Sequence, residues 1–120
     1  MTHDPEAERF FPHENLEAYR LARQATKFVA ERRRRLVGLP GNAGPQLERA
    51  VVGAQTNLCA GASAVGAEAK RHFRIALSEA GEAGGCADIA FDYGALAEAE
   101  HGALRGILLR LCACLRGLSR

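Results

Sequence analysis

The chain has 120 residues, a formal net charge of +2, 13 glycines, four prolines and no tryptophan. This length corresponds to one domain with a modest core. The charge is too small to indicate a nucleic-acid-binding protein by itself. No run of about 18 apolar residues occurs, so we expect no membrane span. The charged start of the chain lacks the apolar centre of a secretory signal, and we therefore expect a cytoplasmic protein with no membrane partner.

All four prolines fall where helices should be absent or just beginning, which predicts an all-α chain. Residues 1–14 form an acidic lead-in, and a helix is predicted over 15–37 with Asn15 as its N-cap. The breaker cluster GLPGNAGP at 38–45 ends that helix. Three further helices are predicted, at about 46–63, 67–90 and 95–119.

The core of such a bundle must be thin, because the chain has 23 alanines and only seven aromatic residues. Glycines at 81, 84 and 85 weaken the third helix. We expect them to admit a closely packed neighbour rather than to fray the helix. A thin core also gains from burial against partners, which favours self-association.

Two segments carry a family pattern. The segment RAVVGAQTNLCAG at 49–61 and the segment RHFRIALSEAGE at 71–82 match it at Arg49, Asn57, Gly61, Arg74, Ile75, Ala76 and Glu82. With LEAYRLA at 16–22, they make the chain similar to the four helix bundle protein family. The founding members of that family are encoded in intervening sequences of bacterial 23S ribosomal RNA genes. The pattern's glutamate before Gly61 is Ala60 here, and its Ser-Ile pair is replaced by Ala54 and Gln55.

This resemblance implies an up-down-up-down four-helix bundle that assembles into a ring, a homopentamer. The family is similar to accessory proteins of diversity-generating retroelements, which are pentameric barrels that bind RNA and a reverse transcriptase through basic surfaces. The resemblance therefore implies an oligomeric binding protein.

The last predicted helix has an apolar sector about half its circumference wide. An ordinary surface helix needs less, so part of this sector is expected to face another subunit. The alternative is that a small bundle buries the whole sector itself. The candidate interface residues are Leu104, Leu108, Leu109 and Leu115.

Basic residues form two clusters. The candidate nucleic-acid contacts are Arg32, Arg33, Arg34 and Arg35 in the first helix and Lys70, Arg71 and Arg74 in the third. Four consecutive arginines sweep about 300° around a helix, so Arg32 must emerge at a packing edge, an interface or a lumen. In an antiparallel bundle we expect the two clusters at opposite ends of the subunit.

Guanidinium groups suit phosphate, because they are planar, permanently charged and bind two oxygens at once. These clusters therefore predict contact with RNA, DNA or a nucleoprotein partner. No aromatic platform accompanies them, which argues against sequence-specific reading of single strands. Two alternative explanations of the arginines stay open. Arginines near a helix C-terminus complement the helix dipole, and 14 arginines against two lysines are also explained by genomic base composition alone. On either explanation the protein would be an interaction scaffold with no nucleic-acid activity.

Catalytic and metal-binding patterns are weak. The Glu98 to His101 segment has the Glu-x-x-His spacing of di-iron bundles, but such sites need a second copy and two more inward glutamates. Glu68 and His72 form a lone pair. The four cysteines show no C-x-x-C spacing and are interpreted as reduced apolar fillers. We predict no metal, no cofactor, no small-molecule substrate and no enzymatic activity.

Overall fold

The computed structural model describes residues 9–120, so most of the predicted acidic lead-in lies outside the described residues. Those residues contain helices and no β-strand. The helices are α1 Glu17–Glu31, α2 Arg33–Leu36, α3 Ala43–Ser63, α4 Gly66–Asp92 and α5 Glu98–Leu118. No helix in this part of the chain is long and apolar enough to cross a bilayer.

The predicted first helix, 15–37, is not continuous, which corrects the sequence prediction. The backbone N–H of Arg32 bonds to the Val29 carbonyl, three residues back, at 3.1 Å. In an unbroken α-helix it would bond to Phe28. The Phe28 carbonyl instead accepts a hydrogen bond from Nη1 of the Arg32 side chain at 3.1 Å, and the guanidinium lies 3.6 Å from the centre of the Phe28 ring. The side chain of Arg32 thus replaces the backbone bond and separates α1 from α2.

The other helix ends differ from the predictions by a few residues. A 3-10 turn over Pro40–Asn42 leads into α3, which begins before the predicted position 46. Helix α5 begins at Glu98, later than the predicted position 95. The delay arises because the N–H groups of Ala95 and Leu96 both bond to the Ala90 carbonyl. Gly94, with a φ of 79°, supplies the left-handed conformation that this reversal requires.

The four long helices pack side by side, each antiparallel to the next. Helices α3 and α5 each pack against both α1 and α4, so α3 and α5 occupy opposite corners, as do α1 and α4. The core between them consists mainly of leucines and alanines. Fully buried large side chains are Leu21, Leu47, Leu58, Leu104, Leu111, Leu115, Val29 and Val51.

Two glycines allow close approaches inside this core. A Cβ at Gly44 would lie 2.0 Å from the carbonyl oxygen of Leu36, and one at Gly61 would lie 2.7 Å from the Phe73 ring. Positions 81, 84 and 85 behave differently, because a Cβ there would meet nothing within 4 Å. Helix α4 is continuous through them. The expectation of a closely packed neighbour at these three glycines is therefore wrong within the subunit.

Candidate nucleic-acid interface

Arg32 and Arg35 converge on one carboxylate. Arg32 donates from Nε to Oε2 of Glu100 at 2.6 Å, and Arg35 donates from Nη1 to Oε1 at 2.9 Å, with a second, shorter bond from Nη2. Glu100 also accepts the backbone N–H of Ala97 at 3.0 Å, which satisfies a donor at the start of α5. The side chains of Arg32 and Glu100 are only 23% and 20% exposed. Arg32 thus lies at a packing edge, one of the three places predicted for it.

The remaining two arginines of this run differ from each other. Arg33 forms a 2.9 Å ion pair with Glu48 at the start of α3. Arg34 is exposed and has no partner within residues 9–120. Three of the four guanidinium groups are therefore paired with two carboxylates within the subunit. A phosphate approaching Arg32 or Arg35 would also meet the Glu100 carboxylate, which weakens the case for these residues, and contact of this run with nucleic acid stays a prediction.

The Glu100 cluster gives a prediction about pH. Hydrogen bonds from Arg35, from the Ala97 backbone and from Arg32 hold the pKa of Glu100 well below its ordinary value of 4.5. A carboxyl group with a lowered folded-state pKa stabilises the fold fully above about pH 4.5 and loses that contribution as the pH falls. We expect Glu100→Gln to lower the free energy of unfolding at neutral pH. The difference in free energy of unfolding between this variant and wild type should become smaller toward about pH 3.

Chemical denaturation at the two pH values measures this gap. Glu98→Gln is the matched control, because Glu98 is an exposed carboxylate in the same helical turn and has no ion-pair partner in the described part of the chain. A gap of the same size at both pH values would contradict the assigned role of Glu100.

The second predicted cluster is free. Lys70, Arg71 and Arg74 are all exposed, and none has a hydrogen-bond or ion-pair partner among the described residues. They lie near the start of α4, where Phe73 packs against Gly61 near the end of α3. Arg33 of the first cluster pairs with Glu48. Glu48 precedes Gly61 by 13 residues in α3, which is about 20 Å along the helix axis. The two clusters therefore occupy opposite ends of the subunit, as predicted.

One arginine of α5 lies level with this free cluster. Nε2 of His101 in α5 lies 2.7 Å from Oδ1 of Asp88 in α4, which fixes the register of the antiparallel pair. Arg74 lies 14 residues before Asp88, and Arg116 lies 15 residues after His101, so the two are level along the axis. Arg116 is exposed, and sequence reasoning missed it because only the register brings it level with Arg74.

Helix α1 carries a separate set of exposed cations. Arg23 and Lys27 lie one turn apart and line an open cleft of about 850 Å³ together with Tyr19, Gln24 and Gln55. Neither cation has a hydrogen-bond or ion-pair partner in the described region. With Arg34 they form a second basic surface on a different helix from Lys70 and Arg74.

The candidate oligomer interface on α5 needs correction. Leu104, Leu108 and Leu115 are 0%, 4% and 0% exposed, so they belong to the subunit's own core. Their wide apolar sector is buried because α5 packs on both α1 and α4. Only Leu109 of the four is available to another subunit, with 54% of its surface exposed.

The groups considered for chemistry are engaged in structural contacts. His101 pairs with Asp88 and stacks on Phe91 at 4.5 Å between ring centres, while Glu98 is exposed. Nδ1 of His72 donates a 3.2 Å hydrogen bond to Oδ1 of Asn57, and Nε2 of His72 lies 3.7 Å from Glu68. Within residues 9–120, no group of three or more His, Cys, Asp or Glu side chains is arranged to hold a metal ion.

The cysteines are free thiols at separate positions. Burial raises the pKa of Cys59, Cys86 and Cys112, which disfavours the reactive thiolate form. Cys86 and Cys112 are buried and Cys114 is half-buried. These surroundings agree with the interpretation of the cysteines as apolar fillers.

No family model matches the sequence, and no curated protein matches it. The fold does match a known one. A crystal structure of a protein of unknown function from the S23 ribosomal protein family of Bacteroides thetaiotaomicron superposes with a TM-score of 0.78. The match covers 86% of this chain and 98% of that chain, at 13% sequence identity.

This likeness bears on the fold and on nothing finer. It agrees with the resemblance to the intervening-sequence family drawn from the sequence, since both lead to the same arrangement of helices. At 13% identity, residues at matching positions are mostly different. Function must therefore be argued from the side chains of this chain.

Proposed function

We propose that this protein is a cytoplasmic, non-enzymatic, oligomeric binding protein that contacts the phosphate backbone of RNA or DNA, alone or within a nucleoprotein partner. Lys70, Arg71 and Arg74 form the contact, with Arg116 of the neighbouring helix level with Arg74. The observation that supports the proposal is that these four cations are exposed and have no hydrogen-bond or ion-pair partner among the described residues. Three arginines of the more conspicuous run at 32–35 are instead paired with Glu100 and Glu48.

The position of the cluster on α4 also supports a role in binding. Lys70, Arg71 and Arg74 lie beyond the first turn of α4 and far from its C-terminus, so the helix dipole does not account for them. Arg33 and Arg35 form ion pairs with Glu48 and Glu100, and these contacts give them a structural role. The free cluster has no such structural explanation.

We further propose that subunits assemble into a ring, with five subunits as the family resemblance implies. The thin alanine-rich core and the exposed Leu109 support association. A ring would repeat the basic cluster around its circumference and concentrate positive potential. Contacts of this kind release counterions, so binding should be insensitive to sequence and sensitive to salt.

Titration of the protein against generic RNA and DNA at rising salt tests the nucleic-acid proposal. We expect binding at low ionic strength, with log affinity falling linearly with log salt concentration because cations displace condensed counterions. Six phosphate contacts would reduce the affinity by about a thousandfold between 50 and 200 mM salt. Failure to bind either polymer at low salt would contradict the proposal.

An oligomeric interaction scaffold without nucleic-acid activity is the second candidate. The surface of α5 around Leu109 is exposed and consists mainly of glycine and alanine, which favours contact with another protein. A stable oligomer that ignores both polymers at low salt would select this candidate. Metal analysis of the purified protein addresses the remaining di-iron interpretation, for which we expect no bound iron.

A further inference from the structure

The outer side of α5 is lined by small residues. Gly102, Gly106, Leu109, Ala113 and Gly117 recur at spacings of three and four, so they share one face, and this face points away from the core. A Cβ at any of its three glycines would meet nothing within 4 Å. Glycine lowers helix stability relative to alanine, so the three glycines of this face destabilise α5 in the isolated subunit.

The outer side of α3 has a similar character. Its outward residues are Arg49, Val52, Thr56, Cys59 and Ser63, again at spacings of three and four. Val52 is 43% exposed and takes the place that Leu109 holds on α5. Both faces thus combine small side chains with one exposed aliphatic group, which allows another helix to approach closely.

These two faces point in opposite directions. Helices α3 and α5 occupy opposite corners of the subunit, separated by α1 and α4. One subunit can therefore present its α5 face to a neighbour while its α3 face receives another neighbour. Such a contact is heterologous, joining different surfaces of identical subunits, and it closes into a ring when the rotation permits.

Charge at the edges of the two faces is complementary. Arg105 and Arg110 border the α5 face and are exposed; Arg105 has no ion-pair partner in the described part of the chain, and the charge of Arg110 acts on Glu17 of α1. Beside the α3 face, Glu79 lies against Gly53, and Glu82 follows one turn later on α4. These two carboxylates accompany Arg49, the cation within the face, so this edge carries a net negative charge.

We infer that the α5 face of one subunit docks on the α3 face of a second copy of this chain, with the arginine edge of one meeting the acidic edge of the other. This inference rests on the proposed self-association and names the surfaces that make it. Leu109 and Val52 are the apolar contacts. Lys70, Arg71 and Arg74 lie nearer the start of α4 than the carboxylates of the acidic edge, so the docked arrangement leaves this cluster open.

Two arginine substitutions test the docking directly. Gly106→Arg blocks the α5 face, and Val52→Arg blocks the α3 face. Neither should disturb the subunit, because Gly106 has open space beside it and Val52 is already exposed. Circular dichroism checks that each variant keeps its helices. Gly81→Arg is the matched control, since it adds the same side chain to open space on α4, away from both faces.

Light scattering or native mass measurement gives the readout. We expect wild type and Gly81→Arg to be oligomeric, and each blocked variant alone to be a monomer. An equimolar mixture of the two blocked variants should form a one-to-one dimer, because each partner keeps one intact face and the intact faces fit each other. The two faces left free in this dimer are the blocked ones. Both carry the introduced arginine and repel each other, so the dimer cannot add further subunits.

The outcomes separate this inference from the broader proposal. A monomeric wild type would overturn both self-association and this pair of surfaces. If the wild type is oligomeric and a blocked variant keeps the same oligomeric mass, only the assignment of the two docking surfaces is overturned. If Gly106→Arg is a monomer and Val52→Arg stays oligomeric, then α5 contacts α5 of the neighbouring subunit. This result would also overturn the heterologous contact. Nucleic-acid binding by the folded variants is measured separately and decides none of these outcomes.

Discussion

Replacing Lys70, Arg71 and Arg74 by glutamate should abolish most nucleic-acid binding without lowering stability. The three reversals remove phosphate contacts and add repulsion, so affinity should fall by about 100-fold or more, and the salt slope should decrease by about 3. None of the three side chains has a partner to lose among the described residues. The three positions lie beyond the first turn of α4, where the helix dipole has little effect, so the melting temperature should be nearly unchanged.

The matched control reverses three other exposed cations, Arg23, Arg34 and Lys27. Both triple variants take the formal net charge from +2 to −4, so they differ only in where the charge is changed. Electrophoretic mobility shift or fluorescence anisotropy at several salt concentrations compares them. Equal losses of affinity in the two variants would mean that net charge, and not the α4 cluster, governs binding.

Gly44→Ala should destabilise the fold by about 3 kcal/mol, since inserting a methyl group into a tightly packed site forces the backbone to move. The new Cβ would lie 2.0 Å from the Leu36 carbonyl oxygen and 2.8 Å from its carbon. These atoms belong to the backbone and cannot rotate away. For a domain of this size, such a loss lowers the melting temperature by about 10 °C or more.

Two further glycines calibrate this result by thermal and chemical denaturation. At Gly61 the new Cβ would meet the Phe73 ring at 2.7 Å, and because a side chain can shift, the loss should be smaller than at Gly44. At Gly81 it would meet nothing, so Gly81→Ala should raise stability by up to about 1 kcal/mol. If Gly44→Ala proved as stable as Gly81→Ala, the close packing of α2 on α3 would be wrong.

The two basic clusters show how far charge can be interpreted from sequence. The reasoning that four consecutive arginines cannot share one face predicted three possible places for Arg32, of which the packing edge is the one observed. Its partner could not be inferred, because Glu100 lies 68 residues away and reaches Arg32 only through the packing of α5 on the end of α1. The run that looked strongest in sequence is therefore the one with the most ion pairs in the structure.

The apolar sector of α5 gives a similar lesson. Its breadth correctly indicated extensive burial, but breadth does not distinguish burial within the subunit from burial between subunits. Leu104, Leu108 and Leu115 face the core because α5 has neighbours on two sides. The surface left for a partner is instead the stripe of glycines and alanines around Leu109, which hydrophobicity alone does not mark.

What the sequence by itself determined is the helical character of the chain and the approximate limits of its helices. These features follow from local causes, namely apolar periodicity, proline placement and the breaker cluster at 38–45. Only the tertiary structure decided which cations stay free and which leucines remain exposed. Those properties depend on pairs far apart in the chain, such as Arg35 with Glu100 and Asp88 with His101, which come together only when antiparallel helices settle into one register.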